Sequence, residues 1–366
     1  MNRGLSLYLD LIRVSAAIVV VLTHLAYDRF SAGMLHPWRA VGNDAVMVFF
    51  VLSGLVIAYA VETRDRTLRD YTLSRMARLW SVAVPAILLT VLLDQTGRAL
   101  NPAAYDGWWY QDINPPLKVL NALTFTNQLW FTSNRLFTNG PYWSLGYEFW
   151  YYAIFAAMAF LTGARRRWAV ALLCLAVGPK ILVLFPIWLL GVWVWRRMNA
   201  RPVAPATGWA LFLGSALAYA LFRASPLPLA LKAWTYATLG NEATAHYLTY
   251  SDEVLASYII GPLVAAHFIG AGAIAASLER LLAPLAGPIR WLAQSTFAIY
   301  LVHYPLLQCL ASVVPYDPTS PTQVSLLLLA VLAGCIGVGV VTERRKGALR
   351  RWLDRLSARW LPATAR

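Results

Sequence analysis

Apolar runs of about 20 residues recur along the chain, separated by short polar or basic segments, and none alternates with period two. In hydrocarbon every backbone N–H and C=O must be bonded within its own segment, so such runs predict membrane-spanning helices. The predicted spans are 5–26, 43–61, 76–97, 141–162, 168–181, 182–195, 205–222, 254–276, 291–311 and 323–341. A further apolar stretch, 117–131, carries Lys118, Asn121, Thr124, Thr126, Asn127 and Gln128. It is too polar to face lipid and reads as a re-entrant or buried segment that does not cross. The expected fold class is therefore an all-α polytopic membrane protein of about ten transmembrane helices, N- and C-termini cytoplasmic. Residues 168–195 must hold two crossings around Pro179 and Pro186, so those helices are expected to be short, tilted or shielded by protein.

Charge fixes the orientation. The chain holds 31 Lys and Arg. With the N-terminus inside and 117–131 not crossing, 22 of them lie on the cytoplasmic side and eight outside, with Arg13 inside the first span. A net charge of +14 would point to nucleic acid in a soluble protein. Here the basic residues sit at cytoplasmic span ends and in "ERRKGALRRWLDRLSARW", a pattern that suits an amphipathic helix on anionic membrane lipid. No nucleic-acid partner is expected. The chain divides into a transmembrane domain, 1–343, and a basic amphipathic cytoplasmic tail, 344–366. The longest segments outside the spans, 98–140 and 223–253, are too short for a soluble catalytic domain. No cleavage site follows the first run, which reads as a retained start-transfer helix. Cys174, Cys309 and Cys335 lie apart in apolar segments and indicate neither a disulfide framework nor a metal site.

The first span, "LDLIRVSAAIVVVLTHLAYD", carries Asp10, Arg13 and His24. An unpaired charge inside a bilayer costs several kcal/mol, so such residues mark function or pairing. Arg13 and His24 are close to three helical turns apart, on one stripe and about 16 Å from each other along the axis, with Asp10 near the same stripe. Asp10 and Arg13 also have the spacing to pair with each other. The fourth span, beginning "PYWSLGYEFWYYAIF", puts Trp143, Ser144, Tyr147 and Glu148 in its outer half. The ninth, "STFAIYLVHYPLL", places His303 at comparable depth, before a kink expected around Pro305. The second adds Asp44 near its outer end. On the cytoplasmic side "YTLSRMARLW" sets Arg75 and Arg78 on one helix face, as a phosphate-bearing ligand requires. Aromatic residues in "YDGWWYQDINPP" could stack on sugar rings or form an interfacial belt.

"LDLIRVSAAIVVVLTHL", "NDAVMVFFVLSGLVI", "SRMARLW", "YWSLGYEFWYY" and "FAIYLVHYPLL", in that order, resemble the membrane-bound acyltransferase 3 family. The resemblance implies a ten-helix core that moves an acyl group, often acetyl, from cytoplasmic acyl-CoA to a sugar hydroxyl of an exported or surface glycan in a bacterial inner membrane. It implies Arg13 and His24 as the key pair, Arg75 and Arg78 on the donor side, and Glu148 in the aromatic motif. Histidine can act as general base or as acyl carrier, so His24 is the expected catalytic group. Glu148, or Asp28 at i+4, would orient it. Arg13 would bind the donor or stabilise the thioester oxygen. Asp44, Trp143, Tyr147 and His303 are the candidate residues for binding the acceptor, a glycan or lipid-linked saccharide. Where family members often have an acidic pair or a Glu followed by Gln, this chain has Gly146 and Tyr147 before Glu148 and Phe149 after it. It also has no room for the extracytoplasmic domain some members carry. It is expected either to finish the transfer itself or to hand the acyl group to a separate protein. The rival readings are a proton-coupled transporter or exporter, in which the same residues would relay protons, and a non-catalytic assembly partner.

Overall fold

Asn2 caps the first helix by accepting the Leu5 amide at 2.9 Å, and α1 (Arg3–Leu25) then runs unbroken to the histidine. The computed structural model describes residues 1–360, with side chains through Ser357. After α1 come α2 (Gly42–Thr63), α3 (Leu68–Leu100), α4 (Pro115–Leu123), α5 (Trp143–Phe160), α6 (Gly163–Val177), α7 (Phe185–Ala200) and α8 (Pro205–Ala224). The second half contains α9 (Leu227–Leu239), α10 (Val254–Ala273), α11 (Ala275–Leu282), α12 (Ala286–Ala293), α13 (Thr296–Val313), α14 (Pro321–Val341) and α15 (Lys346–Trp360).

Among the described residues eight helices are long and apolar enough to cross a membrane, and the protein is an all-helical polytopic membrane protein. The other two expected crossings are α5 and α6. Both are helices, but α6 has only 15 residues and α5 carries three Tyr, two Trp and Glu148. They follow one another, so eight and ten crossings alike leave Arg3 and Lys346 at one end of the bundle. That end is the basic end, and the opposite one is the histidine end. In 117–131 the helix is only nine residues long, too short to cross. Helix α9 lies in 223–253, where no span was expected, and at 13 residues it is too short to cross. Pro305 does not end α13.

Helix α1 is central, packed against α2, α11, α12 and α13. α2 in turn crosses α7 at reciprocal glycines. A Cβ on Gly54 would lie 2.1 Å from the Trp188 carbonyl oxygen, and one on Gly191 would lie 1.9 Å from that of Val51. Without a hydrophobic driving force between helices in lipid, such backbone contact is what van der Waals packing requires. At the basic end α15 lies against α3: Arg69 donates to Asp354 at 2.8 Å and to Ser357 at 2.9 Å. Residues 361–366 of the expected tail fall outside the described residues.

Candidate active site

Two cavities follow one another along the α1 stripe. The inner one, about 50 Å³, is lined by Arg13, Arg78, Ser53, Glu148 and Phe49. The outer, about 220 Å³, is lined by His24, Tyr27, Trp108, Arg135, Trp143 and Tyr250. Val46 and Tyr300 line both, and the Tyr300 hydroxyl is fixed by Ser144 Oγ at 2.7 Å. A basic compartment and a histidine compartment therefore share a wall.

His24 Nδ1 lies 2.8 Å from the Val20 carbonyl oxygen and 3.1 Å from Nε2 of His303. His303 Nδ1 lies 3.0 Å from the Ile299 carbonyl and 2.8 Å from that of Tyr300. Carbonyl oxygens only accept, so both Nδ1 atoms carry hydrogen. His303 Nε2 is then an acceptor for His24 Nδ1–H, and His24 Nε2 keeps a free lone pair. The expected orienting carboxylates are elsewhere. Asp28 pairs with Arg39 at 3.3 Å at the surface. Glu148 Oε1 accepts from Ser53 at 2.6 Å and from Tyr152 at 2.5 Å in the inner cavity. Trp188 adds a bond to Ser53 at 3.2 Å, so the α2–α7 crossing also positions Glu148.

Arg13 pairs with Asp10 at 3.3 Å while lining the inner cavity. Arg78 reaches that cavity too, whereas Arg75 does not share its role. Arg75 is 6% exposed and bound to buried Asp65 at 2.8 Å, with Arg350 of α15 at 3.9 Å from the same carboxylate. The Arg-x2-Arg spacing put both guanidiniums on one face but could not show that a neighbouring carboxylate occupies one of them.

Of the remaining predicted residues, Trp143 stacks on Tyr250, ring centres 4.9 Å apart and 4° from parallel, in the outer cavity. Tyr147 is fully buried, and its hydroxyl lies 3.0 Å from Ser251 Oγ. Asp44 is paired with Arg223 and accepts from Tyr219 at 2.7 Å. It lines a separate, mostly apolar cavity of about 270 Å³ bounded by Ile12, Val48 and Ile260. His303 serves His24 and does not line the outer cavity.

Two contributors went unnoticed in the sequence. Asp94 of α3 accepts the Thr138 amide at 3.0 Å and its hydroxyl at 2.7 Å, and Asn139 donates to Thr90 at 3.0 Å and to the Leu301 carbonyl at 2.8 Å. These bonds hold the 138–141 loop that forms part of the outer wall. An acidic residue inside a predicted span was the available signal. Arg135 lies in a polar loop with no periodicity to flag it. Near it, burial pushes the Lys118 ammonium below its ordinary pKa, with Arg135 adding to the effect.

An acyltransferase-domain family matches this sequence over residues 6–340. No curated protein matches it, and no solved structure does.

Proposed function

The chain belongs to the acyltransferase 3 family, and from that premise we propose that it is an acyl-CoA-dependent O-acyltransferase of a bacterial cytoplasmic membrane. It moves an acyl group, acetyl in the first instance, from cytoplasmic acyl-CoA to a sugar hydroxyl of an exported or surface glycan or its lipid-linked precursor. The observation that carries this reading is the shared wall of Val46 and Tyr300 between a cavity holding Arg13 and Arg78 and one holding His24.

In this reading Arg78 and Arg13 hold donor phosphates at the basic end, where guanidiniums match phosphate oxygens in paired hydrogen bonds. The pantetheine arm extends past Tyr300, along the roughly 16 Å between Arg13 and His24, and delivers the thioester carbonyl to the outer cavity. The acceptor hydroxyl gives its proton to His24 Nε2 as its oxygen attacks the carbonyl carbon. The His24 imidazolium is stabilised by Nδ1–H donation to the Val20 carbonyl and to His303 Nε2. The C–S bond then breaks, and the departing thiolate takes the proton back from His24. An O-acyl sugar and free CoA result, and His24 returns to its starting tautomer. Glu148, in the inner cavity with both arginines, fixes Ser53 and Tyr152 and offsets the arginines' charge. The stacked pair Trp143 and Tyr250 forms part of the wall that meets the acceptor.

The test uses radiolabelled acetyl-CoA and a panel of glycan acceptors with purified wild type, His24→Ala and Arg78→Ala. Transfer by wild type, donor binding without transfer by His24→Ala, and loss of donor binding in Arg78→Ala are expected. A wild type that neither binds nor turns over acetyl-CoA or longer and acidic acyl-CoAs would overturn the assignment. Proton-coupled uptake without chemical change would replace it with transport.

A further inference from the structure

Around the outer cavity the charged side chains are answered by their neighbours, with one exception. Arg39 has Asp28 at 3.3 Å. Asp252 and Glu253, also on the cavity wall, lie 3.0 and 2.9 Å from Lys232 Nζ. Tyr236 donates to Asp252 at 3.0 Å and Asn43 to Glu253 at 3.4 Å, so each carboxylate already accepts twice. Burial would lower the Lys232 ammonium, but the Glu253 and Asp252 charges outweigh it and leave its pKa raised.

Arg135 has no such answer. Among the described residues no carboxylate lies within ion-pair distance of it. Its guanidinium donates one bond, to the Trp108 carbonyl at 3.1 Å, and lies 5.2 Å from the centre of the Trp108 ring. Its Nε is buried without a partner. Lys118 fastens the same residue from behind by donating to the Arg135 carbonyl at 3.0 Å. A guanidinium held in place, partly desolvated and left with spare donors is unfavourable until an anion takes them. It lines the cavity that holds His24.

We propose that Arg135 is a specificity-determining residue for the acceptor, binding an anionic oxyacid substituent, carboxylate or phosphate, on the sugar whose hydroxyl is presented to His24. This rests on the acyltransferase reading above and adds the substrate class. Both oxyanions match the fork of a guanidinium, and a neutral sugar leaves it unanswered.

The experiment compares acceptors in pairs: a hexuronate oligosaccharide beside its methyl ester, and a phosphorylated hexose oligosaccharide beside the unphosphorylated one. Each is assayed with labelled acetyl-CoA on wild type, Arg135→Gln and Arg135→Lys, with donor binding measured for each variant as the check on folding. Wild type should prefer the charged member of one pair, and that pair identifies the oxyanion. Arg135→Gln should raise KM for that acceptor about 10- to 100-fold, the loss expected for a charge-assisted hydrogen bond, with kcat and the neutral acceptor little changed. Arg135→Lys should restore part of the difference. If Arg135→Gln instead slows charged and neutral acceptors alike, or wild type shows no preference within either pair, the assignment of Arg135 is overturned while the acyltransferase reading stands. If wild type binds no acyl-CoA and transfers to no acceptor, both fall.

Discussion

His24 Nδ1 and His303 Nε2 approach to 3.1 Å across 279 positions of sequence, each ring oriented by a backbone carbonyl of its own helix. The pair engages Nδ1 of His24, which lines the outer cavity, and leaves its other nitrogen unshared without a carboxylate. An imidazole partner accepts a hydrogen bond yet carries no fixed charge, so it orients the base while strengthening it less than an aspartate or glutamate would.

The two histidines should therefore separate in kinetics. His24→Ala is expected to lower kcat by about 10²- to 10⁴-fold, the range for losing a general base, with donor affinity intact. His303→Ala should lower kcat by less, because His24 keeps its bond to Val20. Equal losses would show that His303 itself touches the reactants. Label retained on His24 after acyl-CoA is removed would replace direct transfer with a covalent acyl-imidazole route.

Arg75 and Arg78 should separate by stability. Arg75→Ala leaves Asp65 buried and nearly unanswered, a loss of about 3–5 kcal/mol that lowers the thermal midpoint in detergent. Adding Asp65→Asn should recover much of it. Arg78→Ala should leave the midpoint close to wild type and weaken acyl-CoA binding. A stable Arg75→Ala variant with weakened donor binding would contradict this division.

How far these roles are visible in the sequence depends on the reach of the signal. The stripe joining Arg13 to His24 is a local helical period, and so is the spacing that places Arg75 and Arg78 together. The helical membrane fold follows equally from run length and apolar content, because the bilayer forces backbone bonding inside each run. What decides partners lies outside each helix. Asp65 precedes Arg75 by ten positions but sits before the helix begins, and nothing near Asp44 announces Arg223, 179 positions away. Glu148 in an aromatic span was legible as an intramembrane carboxylate, and Tyr152 one turn on at i+4 is a local partner, but the bond to Ser53 depends on how α2 packs. Arg135 and Trp108 come from loops, whose shape follows from anchors such as Asp94 and not from periodicity.

Asp94 acts through the loop it holds. Asp94→Ala and Thr138→Val should each lower kcat while sparing donor binding, and the double variant should be little worse than Asp94→Ala alone, since Asp94→Ala removes both the amide and the hydroxyl bond and Thr138→Val only the hydroxyl one. Additive losses would indicate that the two residues serve different ends.

Glu148→Leu removes the acceptor shared by Ser53 and Tyr152 and the charge offsetting Arg13 and Arg78. A loss of about 1–3 kcal/mol is expected from the unsatisfied hydroxyls, with a correspondingly lower thermal midpoint. Glu148→Gln retains an oxygen acceptor and should recover most of that stability. If Glu148→Gln is as unstable as Glu148→Leu, the charge and not the hydrogen bonding holds this region.

The contact of Gly54 and Gly191 with opposing backbone joins two helices as a single beam, with no side chain at either glycine to act as a bearing. One wall of the inner cavity stands on that beam through Ser53 and Glu148. A molecule framed in this way is suited to staying still while its cargo travels. The acyl group would be passed along a fixed conduit past Tyr300, which lines both cavities, and the membrane seal would depend on side-chain fit, not on halves of the protein rocking open in turn.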